Sequence, residues 1–380
     1  MNIQSKLPAI GTNIFSIMSA LANQHGAINL SQGFPDFDCP AALQHHVDFH
    51  LKNGKNQYVP MAGVPLLRER LAEKMKNSYG TSIDPDTEIT ITAGATQALF
   101  TAITAFVHSG DEVILIEPAY DSYRPAIELA GGVPVIYELV GPDYQIDWER
   151  FGTLISTKTK MIIVNTPHNP IGKIRSTADM QMLEQLTNGT NIIVLSDEVY
   201  EHLIYDEQLH QSVLRFPELF KRSLLVYSFG KTFHSTGWKM GYCVAPKMLM
   251  SEFRKVHQFN VFSCNSFVQY GIADFLENPE TYQQLPKFYQ QKRDFFQDQL
   301  VGAALKPLSS EGSYFQLYDY SAISELPDTE FAKYLTTEIG VAVIPVSAFY
   351  SSGRDEKVVR FCFAKKEETL AAAGKLLRAM

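Results

Sequence analysis

Between Glu88 and Ser228 the chain repeats one rhythm, a short apolar run followed by a stretch with helical spacing, and this limits the fold more than any other feature. Strand candidates fall at 89–92, 113–116, 133–139, 161–165, 192–196 and 224–228. Most are separated by helical patterns, such as the one after Gly94 that places Leu99, Ile103 and Phe106 on one face. Strands joined by helical crossovers run parallel, with right-handed connections. The apolar run 242–245 is expected as an antiparallel addition to that sheet.

Past residue 247 the pattern changes to long amphipathic helices, clearest over 282–300. From Tyr314 onward it predicts a strand, a helix over 329–338, strands over 341–345 and 358–363, and a closing helix over 367–380. These make a second, smaller α/β unit, which the N-terminal helix over 14–22 and the short strand at Ile28 complete. The expected class is α/β, with a mostly parallel central sheet between helices. The expected division is 46–265 for the large domain and 1–45 plus 266–380 for the small one.

The 380 residues, 45% of them apolar, are enough for a large core. A net charge of −8 without a basic tract argues against nucleic acid and anionic membranes as partners. Cys39, Cys243, Cys264 and Cys362 are scattered, with neither disulfide nor zinc spacing, so reduced thiols and no metal site are expected. No apolar stretch reaches the ~18 residues of a membrane span, and the first residues make a poor signal peptide. A cytoplasmic location is therefore expected.

In an open parallel sheet, ligands collect beyond the carboxyl ends of the strands. The polar residues gather there: Gly94-Ala95-Thr96, Tyr120, Asn165 to Asn169, Asp197 with Tyr200, and Ser228 with Lys231. A lysine amine beside a sheet, with an aspartate after the preceding strand, is what pyridoxal phosphate requires. The amine reacts reversibly with the aldehyde, and a buried carboxylate keeps the ring nitrogen protonated. Asp197 has an alternative as a helix N-cap. A helix N-terminus at Ala95 and Thr96 suits a phosphate, aided by Ser228 and Lys239, although a lysine there is also compatible with a solvated surface position. Tyr120 can stack on a ring, and Asn169 and Tyr200 can hydrogen-bond its phenolic oxygen. Arg360 stands inside an apolar strand and needs a partner, either a substrate carboxylate or a structural acid. There is no G-x-G-x-x-G after a strand and no P-loop, which disfavours an ordinary nucleotide-binding protein.

Assembled in this order, the motifs resemble the fold-type I, class I/II pyridoxal-phosphate aminotransferases. Within them the chain is similar to the kynurenine/glutamine aminotransferase-like branch and to bacterial methionine aminotransferases. The resemblance runs from Gln32-Gly33-Phe34-Pro35-Asp36 to Arg360-Phe361-Cys362-Phe363 and is carried by Asn165-Thr166-Pro167-His168-Asn169-Pro170, Ser196-Asp197-Glu198-Val199-Tyr200 and Gly230-Lys231-Thr232-Phe233-His234. It implies that Lys231 binds the cofactor and shuttles the proton, that Asp197 pairs with the ring nitrogen, and that Tyr200 and Asn169 contact the phenolic oxygen. It further implies that Tyr120 stacks on the ring and that Ala95, Thr96, Ser228 and Lys239 hold the phosphate, joined by Tyr58 from a partner subunit of a homodimer. Gly33, Asn169 and Arg360 would receive the substrate carboxylate.

Two positions depart from many relatives. Gly230 stands where a hydroxyl residue often precedes the lysine, and Lys239 where an arginine is common. The implied reaction moves the amino group of a hydrophobic, sulfur-bearing or aromatic amino acid, methionine first, to a 2-oxo acid by a ping-pong mechanism. No second arginine for a side-chain carboxylate is evident, and Phe15 and Tyr58 are candidates for the side-chain pocket. The alternatives are a carbon–sulfur β-lyase acting on cysteine conjugates and a kynurenine/glutamine aminotransferase. A regulator with an aminotransferase-like sensing domain is disfavoured, because only about thirty residues precede Gly33, too few for a winged-helix module.

Overall fold

The computed structural model describes Met1 and residues 3–380. A two-residue strand, β1 (Ile28–Asn29), follows a helix over Ile14–His25 that Asn13 caps through its side chain. The seven strands of the central sheet come next: β2 (Ile89–Thr92), β3 (Glu112–Glu117), β4 (Val133–Glu138), β5 (Thr159–Asn165), β6 (Ile193–Asp197), β7 (Ser223–Ser228) and β8 (Gly241–Val244). Their order across the sheet is β2-β8-β7-β6-β5-β3-β4. Only β8 runs against its neighbours, pairing antiparallel with both β2 and β7. The antiparallel strand is therefore enclosed within the sheet, and the rest is parallel as the rhythm of the sequence predicts.

Successive strand residues face opposite sides of a sheet, and here each side has its own core. Val113, Leu115, Met161, Ile163, Leu195 and Val226 pack with Leu99, Ile103 and Phe106 of the helix Ala95–Phe106 and with Met250 and Phe253 of the helix Lys247–Asn260. Ile114, Ile116, Ile162, Val164, Val194 and Leu225 belong to the opposite core, with Leu67, Leu71 and Met75 of the helix Pro65–Tyr79. Because both faces are covered, most of the strands carry a continuous apolar run at their centre, which is why they are legible in the sequence. On the second side, Lys74 Nζ lies 2.6 Å from Glu201 Oε1 with both side chains almost wholly buried, and Tyr79 and Tyr242 donate their hydroxyls to the same carboxylate.

The remaining strands are β9 (Lys306–Pro307), β10 (Phe315–Asp319), β11 (Val341–Ala342), β12 (Ile344–Pro345) and β13 (Val358–Cys362). Four of them form an antiparallel sheet in the order β12-β13-β10-β9, while β11 pairs in parallel with β1. The single strand expected over 341–345 is thus two short ones joined at the buried Val343. The backbone satisfies the N-terminal segment first, through Ile28 N–H to Gly340 O and Leu30 N–H to Ala342 O, and then turns to pair with β13. The helix expected over 282–300 is also two, Glu280–Gln283 and Leu285–Gln299, because Pro286 has no N–H to continue the first and suits the first turn of the second. The helix expected over 329–338 begins at Asp328 and widens into a π-helical turn over Leu335–Ile339 that ends at Gly340, which takes the left-handed backbone.

Candidate active site

The carboxyl ends of β2, β3, β5, β6 and β7 converge with residues from the first and last segments on a cavity of about 240 Å³. Gly33, Ala95, Thr96, Tyr120, Asn169, Asp197, Tyr200, Lys231 and Arg360 all line it, as does Phe15. A smaller cavity shares Ala95, Thr96, Tyr120 and Lys231 with the first and adds Gly94, Ser228 and Lys239. Every site residue expected from the sequence is therefore brought together, with one exception. Tyr58 is 83% exposed, pairs edge-on with Phe262 and lies at a different surface hollow.

Asp197 is the last residue of β6, and no helix begins after it, so the N-cap alternative does not apply. Its Oδ2 accepts from the hydroxyl of Tyr123 at 2.6 Å and its Oδ1 from the amide of Val199 at 3.3 Å. Burial pushes this carboxyl up to about 6, against the pull of those two donors. Asn165, at the end of β5, donates to the backbone carbonyl of Asp197 and accepts from the amide of Asn169, which locks the two strand ends to each other.

Lys231 lies in the single turn Phe229–Thr232 that follows β7. Its amine donates to the hydroxyl of Tyr314 at 2.8 Å and to the carbonyl of Gly33 at 3.1 Å. Burial, the largest influence, brings its pKa down to about 8, and the positive charges of Arg360 and Lys239 act in the same direction. A buried amine with a lowered pKa is a competent nucleophile and proton carrier near neutral pH. A Cβ on the preceding Gly230 would come within 2.9 Å of Thr236 Cα, so the backbone of the following turn occupies the space that a side chain would need.

Arg360 is completely buried, and its planar group lies 3.8 Å from the ring centroid of Phe315. One Nη donates to Asn169 Oδ1 at 2.7 Å and the other to Ser31 O at 3.0 Å, while Nε has no partner. Among the described residues no acid forms an ion pair with it, so the structural salt bridge considered from the sequence is not made. Desolvation pulls its pKa down to about 10. A guanidinium in that state favours an incoming anion.

The other end of the site is built for an anion as well. The helix over Ala95–Phe106 starts at the cavity, and its first amides have no partners within the helix. Lys239, held in the left-handed backbone at φ +54°, brings its amine alongside Gly94. Gly241 lets β8 pass close against the start of this helix, since a Cβ there would lie 2.6 Å from Tyr227 O and 3.0 Å from the amide nitrogen of Ala95.

The sequence reading passed over Tyr123 and Tyr314, the two hydroxyls that touch Asp197 and Lys231. Tyr123 stands three residues after Tyr120 and so faced the same strand end. Tyr314 carried no sequence signal, because its position depends on Ser313, which takes φ +64° just before it.

A buried amine, a buried carboxylate and two separate anion-binding ends, at the strand ends of a doubly covered parallel sheet, define a cofactor-dependent enzyme of the lysine-linked kind. The profile of the family aminotransferase class I and II matches residues 25–376, and the chain belongs to that pyridoxal-phosphate-dependent family; it is an aminotransferase. It is 53% identical to the methionine aminotransferase of Escherichia coli (strain K12) over 99% of this chain and 97% of that protein. It is 36% identical to human kynurenine–oxoglutarate transaminase 1 over 98% of this chain and 97% of that protein. Among solved structures, YbdL of Escherichia coli, described as having a methionine aminotransferase function, superposes with a TM-score of 0.98 at 52% identity over the whole of both chains. The aspartate aminotransferase of Thermus thermophilus with maleate superposes with a TM-score of 0.90 at 31% identity, again over both whole chains.

Proposed function

We propose that this aminotransferase takes the amino group of L-methionine, and of other hydrophobic or aromatic amino acids, and passes it to a 2-oxo acid in a ping-pong cycle. The observation that carries the reading is Arg360, a buried guanidinium without an acid partner, in one cavity with the amine of Lys231. An α-amino acid has the matching pair of groups. Among the described residues these two are the only cations lining the cavity, and Phe15, Leu99, Tyr120 and Phe315 contribute apolar or aromatic surface beside its polar residues, so a side-chain carboxylate would find no further counter-charge. The similarity to methionine aminotransferases supports the same choice.

The residues fit pyridoxal phosphate. The donor-rich hollow at Ala95, Thr96, Ser228 and Lys239 suits a phosphate, and Asp197, unmatched by any contacting cation, suits a protonated ring nitrogen. When bound, the cofactor supplies the electron sink for the substrate α-carbon and carries the amino group between the two half-reactions. Around it, Tyr120 would stack on the ring, and Tyr200 and Asn169 would hydrogen-bond its phenolic oxygen. Lys231, with a pKa near 8, is partly neutral at physiological pH and can accept a proton; as ammonium it is held by Tyr314 and Gly33 O. Arg360, Asn169 and the backbone of Gly33 would fix the substrate carboxylate.

The same reading includes a cytoplasmic homodimer in which Tyr58 reaches the partner's phosphate site; the exposure of Tyr58 beside Phe262 is consistent with that placement. It also includes the division into 46–265 and 1–45 plus 266–380. In support, the seven-stranded sheet falls wholly in the first part and the two smaller sheets in the second, although the mutually packed helices Ala41–Lys52 and Ser266–Phe275 straddle or adjoin the boundary.

The test is an absorbance measurement on the cofactor-loaded protein. L-Methionine without an oxo acid should abolish the absorbance of the aldehyde form, and a 2-oxo acid should restore it. L-Aspartate should do so far more slowly. An unchanged spectrum with L-methionine would remove the substrate assignment.

A further inference from the structure

Asp197 receives one side-chain hydrogen bond among the described residues, from Tyr123. Tyr123 is buried in the short helix Tyr123–Leu129, and its ring stands edge-on to Tyr120 at 5.7 Å. The groups facing Asp197 from the surrounding elements are Tyr120 and Tyr123 after β3, Lys231 after β7, and Glu198 and Tyr200 on its own segment. Of these, Glu198 opposes the negative charge, but it is turned away. Its carboxylate is fully buried and accepts from Ser196, His210, Val213 N–H and Tyr227, all at 2.9–3.0 Å. Lys231 is committed to Tyr314 and Gly33.

We infer that Tyr123 is a positioning residue, whose hydroxyl keeps the Asp197 carboxylate anionic and fixed in orientation within the cavity. A hydrogen bond to the charged form of an acid favours that form. Without it, only the amide of Val199 and the charge of Lys231 oppose burial on a carboxyl that already titrates only at about 6. Tyr123 itself stays protonated, because burial and the neighbouring Asp197 charge push its own pKa well up, so it remains a donor throughout the working range. The inference rests on the reading of Asp197 as the partner of the ring nitrogen.

The experiment is a double-mutant cycle on binding of pyridoxamine 5′-phosphate, which forms no covalent link with Lys231, to protein freed of its cofactor. D197N is expected to weaken binding. Y123F, which removes a single oxygen, is expected to weaken it roughly tenfold or more near neutral pH, the scale of one hydrogen bond to a charged group. In the D197N background Y123F should cost almost nothing further. Raising the pH should restore part of the affinity of Y123F, as the carboxyl ionises, and have less effect on the unsubstituted protein. Equal losses in the two backgrounds would overturn the inference and reduce Tyr123 to packing. No loss in D197N alone would overturn the reading of Asp197, and the inference with it.

Discussion

Arg360→Lys tests the carboxylate site with a defined magnitude. The substitution keeps a positive charge but replaces a rigid two-pronged donor with a single ammonium. Against a carboxylate, a guanidinium makes two charge-assisted bonds, each contributing about 1.5–3 kcal/mol. The lysine retains one of them, and it gives up the stacking on Phe315 at 3.8 Å. The expected loss is therefore about 1.5–3 kcal/mol, or roughly 10- to 150-fold in kcat/KM for L-methionine. Since the carboxylate is held equally before and during the reaction, most of the loss should fall on KM. The assay pairs steady-state kinetics with the binding of two truncated ligands. 3-(Methylthio)propanoate, which retains the carboxylate, should lose affinity in the variant. 3-(Methylthio)propylamine, which lacks it, should bind the two proteins alike. Equal losses for both ligands would refute the reasoning, because the substitution would then be acting through general disturbance of the cavity.

Other expectations follow from the same geometry. Lys231 titrates at about 8 in the folded, cofactor-free protein against 10.5 ordinarily, so over that interval the unfolded chain binds more protons and stability attributable to this group rises with pH. K231M should therefore be more stable than the parent below pH 8, with the gap in denaturation midpoint closing toward pH 10.5; a constant gap would contradict this. Asp197 has the opposite sign of shift, raised from 3.8 to about 6, so the cofactor-free protein should lose stability relative to D197N as pH rises through that window. Gly241→Ala should destabilise by about 1–3 kcal/mol and weaken cofactor binding, because the new methyl meets backbone atoms of Tyr227 and Ala95 that have no room to yield; an unchanged melting temperature and affinity would contradict it. K74M should cost about 3–5 kcal/mol in chemical denaturation by leaving the Glu201 carboxylate buried without its cation.

The central sheet and most residues lining the candidate site were legible in the sequence because a doubly covered parallel strand has an apolar centre and ends abruptly in polar residues. Asp197, Ser228 and Lys231 sit at or just beyond such endings, and Arg360 is conspicuous as the one charge within 358–363. Local pattern failed where the partner is remote. The split of 341–345 follows from competition between β13, the next strand along, and β1, which lies near the other end of the chain. The contact of Tyr314 with Lys231 spans 83 residues and depends on a positive φ at Ser313 that nothing in the neighbouring sequence announces. The break before Leu285 was in principle readable from Pro286, which the amphipathic pattern around it obscured.

The buried pair of Lys74 and Glu201 joins residues 127 apart, and neither lines the cavity of the candidate site. Apolar packing alone tolerates sliding: a helix carrying Leu67, Leu71 and Met75 that moved one turn along its bed would still cover much the same apolar area. With Lys74 on that face, the displaced arrangement would leave an ammonium and a carboxylate apart in an apolar interior, and only one docking escapes that penalty. Glu201 adjoins Tyr200, so the alignment that the pair enforces is passed directly to a residue lining the cavity. A helix without chemical duties thereby acts as an alignment pin for the candidate site, and errors in its seating are penalised before any substrate arrives.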